Sequence, residues 1–140
     1  MGNQISEHFR RSEYACRCGC GFDAADKELN EVHEDLREYF TEKYGDSVSV
    51  EITGPNRCIK HNETIQKKDN PEYVPFSSKS THINGIASDL KVWIIWHKKQ
   101  VPAGEVSDYL ERRYPDKYGI GRYNNRTHID IREIKARWIG

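Results

Sequence analysis

The sequence predicts an α+β fold: a small, mostly antiparallel sheet with flanking helices. Three observations carry that reading. One long stretch repeats its apolar residues at helical spacing. Several short stretches alternate with period two. The two kinds are interleaved irregularly, without the regular βαβ repeat of a parallel sheet.

The elements follow in order. Residues 1–22 form a cysteine-rich N-terminal segment. Residues 23–44 read as an amphipathic helix, because Leu29, Val32, Leu36, Tyr39, Phe40 and Tyr44 recur at steps of three, four and seven. Asp23 is the expected N-cap and Gly45 the expected stop. Residues 48–52 (VSVEI) alternate as a strand, and Gly54-Pro55-Asn56 reads as the turn that ends it. Residues 67–79 are polar and carry two prolines, which predicts a long surface loop. Residues 87–95 are apolar and β-branched enough for a central strand. A second helix is expected from about Val101 to Arg113, with Pro115 stopping it. Residues 119–123 (GIGRY) read as a strand or a turn into one, residues 127–132 (THIDIR) alternate again as a strand, and residues 134–138 close the chain.

Size and composition bound the function. At 140 residues the chain fits one domain spanning 1–140, and folding buries roughly two thirds of the chain's surface at this length. Hydrophobic residues reach 36% and aromatics 11%, enough to exclude disorder. Lys+Arg and Asp+Glu are both 22, so the formal net charge is zero. The basic surplus of a nonspecific nucleic-acid binder is missing, and no nucleic-acid partner is expected. The longest apolar run, residues 92–96 (VWIIW), is far short of the roughly 20 residues of a membrane span. Residues 1–11 hold no apolar stretch, so no signal peptide is expected and synthesis is placed in the cytoplasm. A monomer is expected.

Four cysteines are present, three of them in the run Cys16-Arg17-Cys18-Gly19-Cys20, with Cys58 apart. The spacing is C-x-C-x-C, whereas metal sites usually use C-x-x-C. Small buried residues or one structural cross-link come first, a zinc cluster second, and redox chemistry third.

The sharpest chemical signal is His82 and Asp89, seven residues apart across Gly85, followed far downstream by His128. Two imidazoles and a carboxylate are a good zinc set that leaves a fourth position for water. Such an open site polarises a carbonyl and acidifies water, which points to amide or ester hydrolysis. Two histidines in a chain of this length are also ordinary, and spacing alone does not decide. Of the others, His8 lies in the N-terminal segment, His33 is expected on the exposed or flanking side of the first helix, and His97 reads as a surface residue.

Motifs add to that spacing. Ser80-x-His82-x-x-Gly85-x-Ala87-x-Asp89 resembles the signature of the zinc D-Ala-D-Ala carboxypeptidase family of murein peptidases. One branch of that family is resembled by four segments in order. They are Glu13-Tyr14-Ala15-Cys16-Arg17-Cys18-Gly19-Cys20-Gly21, then Gly54-x-x-Arg57-Cys58-x-x-His61-Asn62, then the signature itself. The fourth is Gly119-Ile120-Gly121-Arg122-Tyr123 with His128-Ile129-Asp130-Ile131-Arg132 and Ala136-Arg137-Trp138. The likeness spans residues from about 10 to 138. It implies Zn2+ held by His82, Asp89 and His128, and an Arg57 that faces the substrate. It also implies the α+β fold shared with vancomycin-resistance dipeptidases and the hedgehog signalling domain.

The chain departs from other branches of the family at two places. Where many relatives carry an acid three residues before the last ligand, Asn125 stands here, and Arg126 replaces a histidine. Asp130 is the replacement candidate for the catalytic base, because alternate residues of a strand share a face. Its other reading is a group that orients a ligand or pairs with Arg132 or Arg122.

The expected function is a zinc metallopeptidase that hydrolyses murein peptides of the bacterial cell wall. It would act as a D-Ala-D-Ala carboxypeptidase or a cross-link endopeptidase, possible origins being a phage or prophage lysin delivered to the wall. A non-catalytic zinc-containing binding module of the same fold is the alternative. A cytosolic amidase acting on small dipeptides is a third class.

Overall fold

The computed structural model describes residues 3–21, 23–55 and 86–140. His82, Arg57, Cys58 and the expected loop at 67–79 lie outside the described residues. A short 3-10 turn (Arg11–Tyr14) precedes α1 (Lys27–Tyr44), β1 (Val48–Gly54), β2 (Ala87–Ile94) and β3 (Lys99–Gln100). Then come α2 (Ala103–Arg113), β4 (Gly119–Arg122), β5 (Thr127–Asp130) and β6 (Ala136–Ile139). Helices and one mixed sheet make this an α+β fold, as the interleaved periodicities predict.

The sheet order is β1-β2-β5-β4-β6, with β3 pairing off β2. Every pairing is antiparallel except β4 with β6. The 87–95 stretch is indeed an inner strand, bounded on both sides by partners. It ends at Ile94; Ile95 and Trp96 are exposed in the turn to β3.

Helix α1 starts later than the sequence suggests. Asp26, not Asp23, is the N-cap: its carboxylate accepts from the Leu29 backbone N–H at 3.0 Å. An N-cap oxygen satisfies an N–H two or three residues on, and only Asp26 stands at that offset from the first helical turn. Gly45 ends the helix in the left-handed region, φ +64°, as expected.

The buried face of α1 is Leu29, Val32, His33, Leu36 and Phe40, one stripe at helical spacing. It packs with Val106 and Leu110 of α2 on one face of the sheet. That face presents Val48, Val50 and Ile52 of β1, Leu90, Val92 and Ile94 of β2, Ile120 of β4 and Ile129 of β5. The two helices also touch directly through Tyr39 and Tyr109, whose rings stack at 3.9 Å.

His33 corrects its sequence reading. It is fully buried, not flanking. Its Nε2 lies 2.7 Å from Ser88 Oγ on β2, and its Nδ1 lies 2.7 Å from Tyr14 Oη. Tyr14 in turn donates to Asn30 Oδ1 at 2.7 Å. With that hydroxyl proton spent on Asn30, His33 donates from Nδ1 and accepts at Nε2 from Ser88. The imidazole is therefore neutral with both nitrogens satisfied, and burial lowers its pKa to about 3. His8 and His97 fit their readings: His8 Nδ1 meets Glu34 at 2.7 Å, and His97 is exposed.

Candidate metal centre

Strand alternation makes two different surfaces. Ser88 and Leu90 of β2, and Thr127 and Ile129 of β5, are buried under the helices. Their neighbours Asp89, His128 and Asp130 point to the opposite face. In the antiparallel register Asp89 stands directly across from His128. Residues paired this way bring their Cβ atoms within about 5.5 Å. The side chains converge further: Asp89 Oδ1 lies 3.0 Å from His128 Nδ1.

The donor set suits a metal ion. Two ligand atoms on a tetrahedral zinc with arms near 2.0–2.1 Å stand about 3.3 Å apart. The Asp89–His128 separation is close to that edge, from a carboxylate and an imidazole, both zinc-type donors. The third expected ligand, His82, lies outside the described residues, as does Arg57.

Asp130 is fully buried beneath His128. Its Oδ2 meets His128 Nε2 at 2.8 Å. Arg132 clamps the same carboxylate, Nε to Oδ1 at 2.7 Å and Nη2 to Oδ2 at 2.6 Å. Burial alone would raise the Asp130 pKa, but the hydrogen bonds from His128 and Arg132 outweigh it and hold the carboxyl well below the usual range. Burial alone would likewise lower His128, and its bonds to Asp130 and Asp89 reverse that and raise it. The arrangement fixes the ring: with Nε2 engaged by Asp130, Nδ1 is the nitrogen presented toward Asp89. A carboxylate on the far nitrogen is the usual way a protein orients a ligating histidine.

Other carboxylates are committed elsewhere. Glu105 at the start of α2 pairs with Lys43 and accepts from Tyr44 Oη at 2.6 Å. Asp108 pairs with Arg122 at 2.8 Å. Glu133 is exposed. Arg126 stacks on Tyr123 at 4.1 Å and brings its Nε within 4.0 Å of Asp89 Oδ2.

Two groups of motif residues show their role only in the fold. Trp138 of β6 packs on the His128 ring, centroids 4.9 Å apart, and donates from Nε1 to Tyr123 Oη at 3.1 Å. Arg132 lies over the same indole at 5.1 Å. Glycines make room for this layer. A Cβ on Gly121 would come within 2.5 Å of Trp138 Nε1, one on Gly119 within 2.5 Å of Asp130 Oδ2, and one on Gly54 within 2.5 Å of Asp89 Oδ2. The sequence signal for them is the Gly-x-Gly alternation of residues 119–121, which reads as a strand or a turn into one; only the register shows what the glycines make room for.

The cysteine run gives a second group of donors. Cys16 is buried while Cys18 and Cys20 are exposed, so the reading as small buried residues fails for two of the three. Cys16 Sγ and Cys18 Sγ are 3.4 Å apart, too far for a disulfide between them.

Among the described residues no helix is long and apolar enough to cross a membrane. No curated protein and no solved structure is significantly similar to the chain. The family model described as Peptidase M15 does match, over residues 7–130, which takes in the cysteine run, β1, β2, α2, β4 and the whole of β5. With nearly the full length matched, and with Asp89 and His128 side by side on adjacent strands within it, the chain belongs to the Peptidase M15 family.

Proposed function

We propose that the protein is a zinc-dependent peptidase that hydrolyses a peptide bond in bacterial murein, at a D-amino acid of the terminal D-Ala-D-Ala or of a cross-link. Family membership makes it a peptidase, and cell-wall peptides are the substrate class the family suggests. The observation that carries the metal part is the Asp89–His128 pair, two zinc-type donors at 3.0 Å from opposite strands. His82 is the third ligand in this reading. Its site of action is the wall, reached as a phage or prophage lysin would reach it.

Bound zinc supplies Lewis-acid polarisation of the scissile carbonyl and acidification of water. The chain's own residues do the rest. Asp89 and His128 hold the ion on the open face of the sheet. Asp130 locks His128 in one tautomer and orientation through its 2.8 Å bond to Nε2. Arg57 faces the substrate, where a rigid fork of donors suits the charge that develops on the carbonyl oxygen. Asp130 was the sequence candidate for proton acceptor. Its two oxygens are held by Arg132 and His128, and a carboxyl made that acidic is a weak base, so we assign it to positioning His128.

One observation favours the second reading, a binding module that keeps zinc without catalysis. Asn125 and Arg126 stand where relatives carry an acid or a histidine, and Asp130 is already engaged. Digestion of purified murein sacculi separates the two. Mass spectrometry should find released peptides cut at a D-amino acid, and His128→Ala should abolish both release and one equivalent of zinc. Zinc binding with no released peptide would establish the binding module. Release that persists in His128→Ala would overturn the assigned centre.

A further inference from the structure

We propose that Cys16, Cys18 and Cys20 form a second metal site, a three-thiolate site that takes a soft divalent ion, zinc foremost, independently of the Asp89–His128 centre. The sulfur atoms of the three residues all lie within 4.8 Å of one another. Zinc–sulfur bonds of about 2.3 Å put the sulfurs of a tetrahedral site about 3.8 Å apart. The Cys16–Cys18 separation of 3.4 Å and the 4.8 Å limit bracket that spacing. The run needs little rearrangement to close on an ion.

Local backbone explains how a C-x-C-x-C run gathers its thiols when C-x-x-C is the commoner solution. Gly19 and Gly21 adopt φ +81° and +92°, a region open to glycine and strained for other residues. The Gly19 N–H donates to Cys16 C=O at 3.2 Å, which folds the run back on itself. Arg17, between the first two cysteines, reaches the other way and donates from Nη2 to Ile52 C=O of β1 at 2.9 Å. The run is thereby pinned to the sheet with its sulfurs left on one side. Burial in the core does not account for the grouping, since Cys18 and Cys20 are exposed.

Coordination exchanges no electrons. Each thiol gives its proton to solvent as its sulfur binds, and three thiolates with one divalent ion leave a net charge of −1. The Arg17 guanidinium, on the same loop, offsets it. Thiolates select zinc over harder ions such as Mg2+ or Ca2+. Three protein ligands leave a fourth tetrahedral position for water or another donor. Because the run follows directly on buried Tyr14, an ion here clips the N-terminal segment to the edge of the sheet.

Cobalt substitution tests the site without reference to activity. Thiolate-bound Co2+ gives a charge-transfer absorption in the near ultraviolet that carboxylate and imidazole ligands do not. The reduced wild-type chain loaded with Co2+ should show it. Cys18→Ser/Cys20→Ser, both exposed positions, should lose it with an unchanged far-ultraviolet circular dichroism spectrum. His128→Ala should keep it. Zinc analysis should fall from about two ions per chain to about one in either variant. Cys20→Ser alone, with a weakened band, is the milder variant should the double change disturb the fold. No thiolate band in the reduced wild type, or a band unchanged in both cysteine variants, would overturn the proposal. A mass 2 Da low, marking a disulfide as the state of these sulfurs, would overturn it too. A wild type with the thiolate band but one zinc in total would leave this site standing and remove the catalytic one.

Discussion

Acidification should destabilise this protein through His33, and the size of the effect follows from its burial. The ring is wholly enclosed and neutral, with its pKa lowered from 6.5 to about 3. In the unfolded chain it titrates normally. Below pH 6.5 the unfolded state therefore binds a proton that the folded state does not, and stability falls as pH falls. The loss begins near the unfolded pKa and continues until the folded pKa is reached. At one proton the slope is about 1.4 kcal/mol per pH unit. Between about pH 7.5 and about pH 4.5 the His33 contribution should shrink by about 2.7 kcal/mol. That figure holds for any folded pKa well below 4, because the folded state stays unprotonated across the window. The control is His33→Gln, which keeps a donor and an acceptor but cannot titrate. Urea denaturation of both proteins at several pH values isolates the term, since every other titrating group is common to them. The wild-type advantage over His33→Gln should decline with acid by about that amount. A difference that stays constant from about pH 7.5 to 4.5 would refute a neutral buried His33.

Two further outcomes follow from the metal face. Asp130→Asn removes the negative charge that holds His128 and leaves Arg132 without its carboxylate. Zinc affinity should drop about 10–100-fold, read by competition with a chelator; retained zinc with turnover down at least about 100-fold would instead make Asp130 the proton acceptor. Gly121→Ala forces the Trp138 indole off a Cβ that would sit 2.5 Å from its Nε1. It should cost about 1–3 kcal/mol in urea denaturation and shift tryptophan fluorescence, and an unchanged midpoint and spectrum would show that the indole does not pack there.

Much of the fold was legible because its periods are clean. The stripe Leu29, Val32, Leu36 and Phe40 defines α1, and the alternation of residues 127–130 defines β5. The helix start was missed because Asp23 and Asp26 offer the same capping chemistry, and only the backbone decides which oxygen reaches an N–H. His33 was missed because a polar residue inside an apolar stripe reads as flank unless its partners are known. Those partners, Tyr14 and Ser88, lie 19 and 55 residues away in sequence. The candidate site reads in the sequence as motifs, not as geometry. Asp89 and His128 are 39 residues apart, and only pairing of β2 with β5 brings them face to face. Asp130 illustrates the limit most directly. Same-face placement beside His128 and a pairing with Arg132 are both readable as alternatives, but which role prevails depends on how the chain leaves β5.

The alternation that builds the site also couples it to the core. Ser88 faces the helices and bonds His33, while the next residue, Asp89, faces the metal side. Thr127 likewise faces α2, where its hydroxyl lies 3.1 Å from Ser107 Oγ, and His128 follows on the other face. A slip of one residue in either strand would move Asp89 or His128 under the helices and that strand's core residues into the open. The buried Ser88–His33 and Thr127–Ser107 contacts oppose that slip, since a shifted register would leave polar groups unpaired beneath the helices. The glycines apply the same constraint from the metal side. Gly54, Gly119 and Gly121 stand across from Asp89, Asp130 and His128 in the pairing, and a one-residue slip would present those bulky side chains to neighbours with a Cβ. Register is thus fixed from both faces, and Asp89 and His128 inherit their positions from it. The helices pack on the opposite face of the sheet from Asp89 and His128, yet the placing of that pair depends on the helix layer holding β2 and β5 in phase.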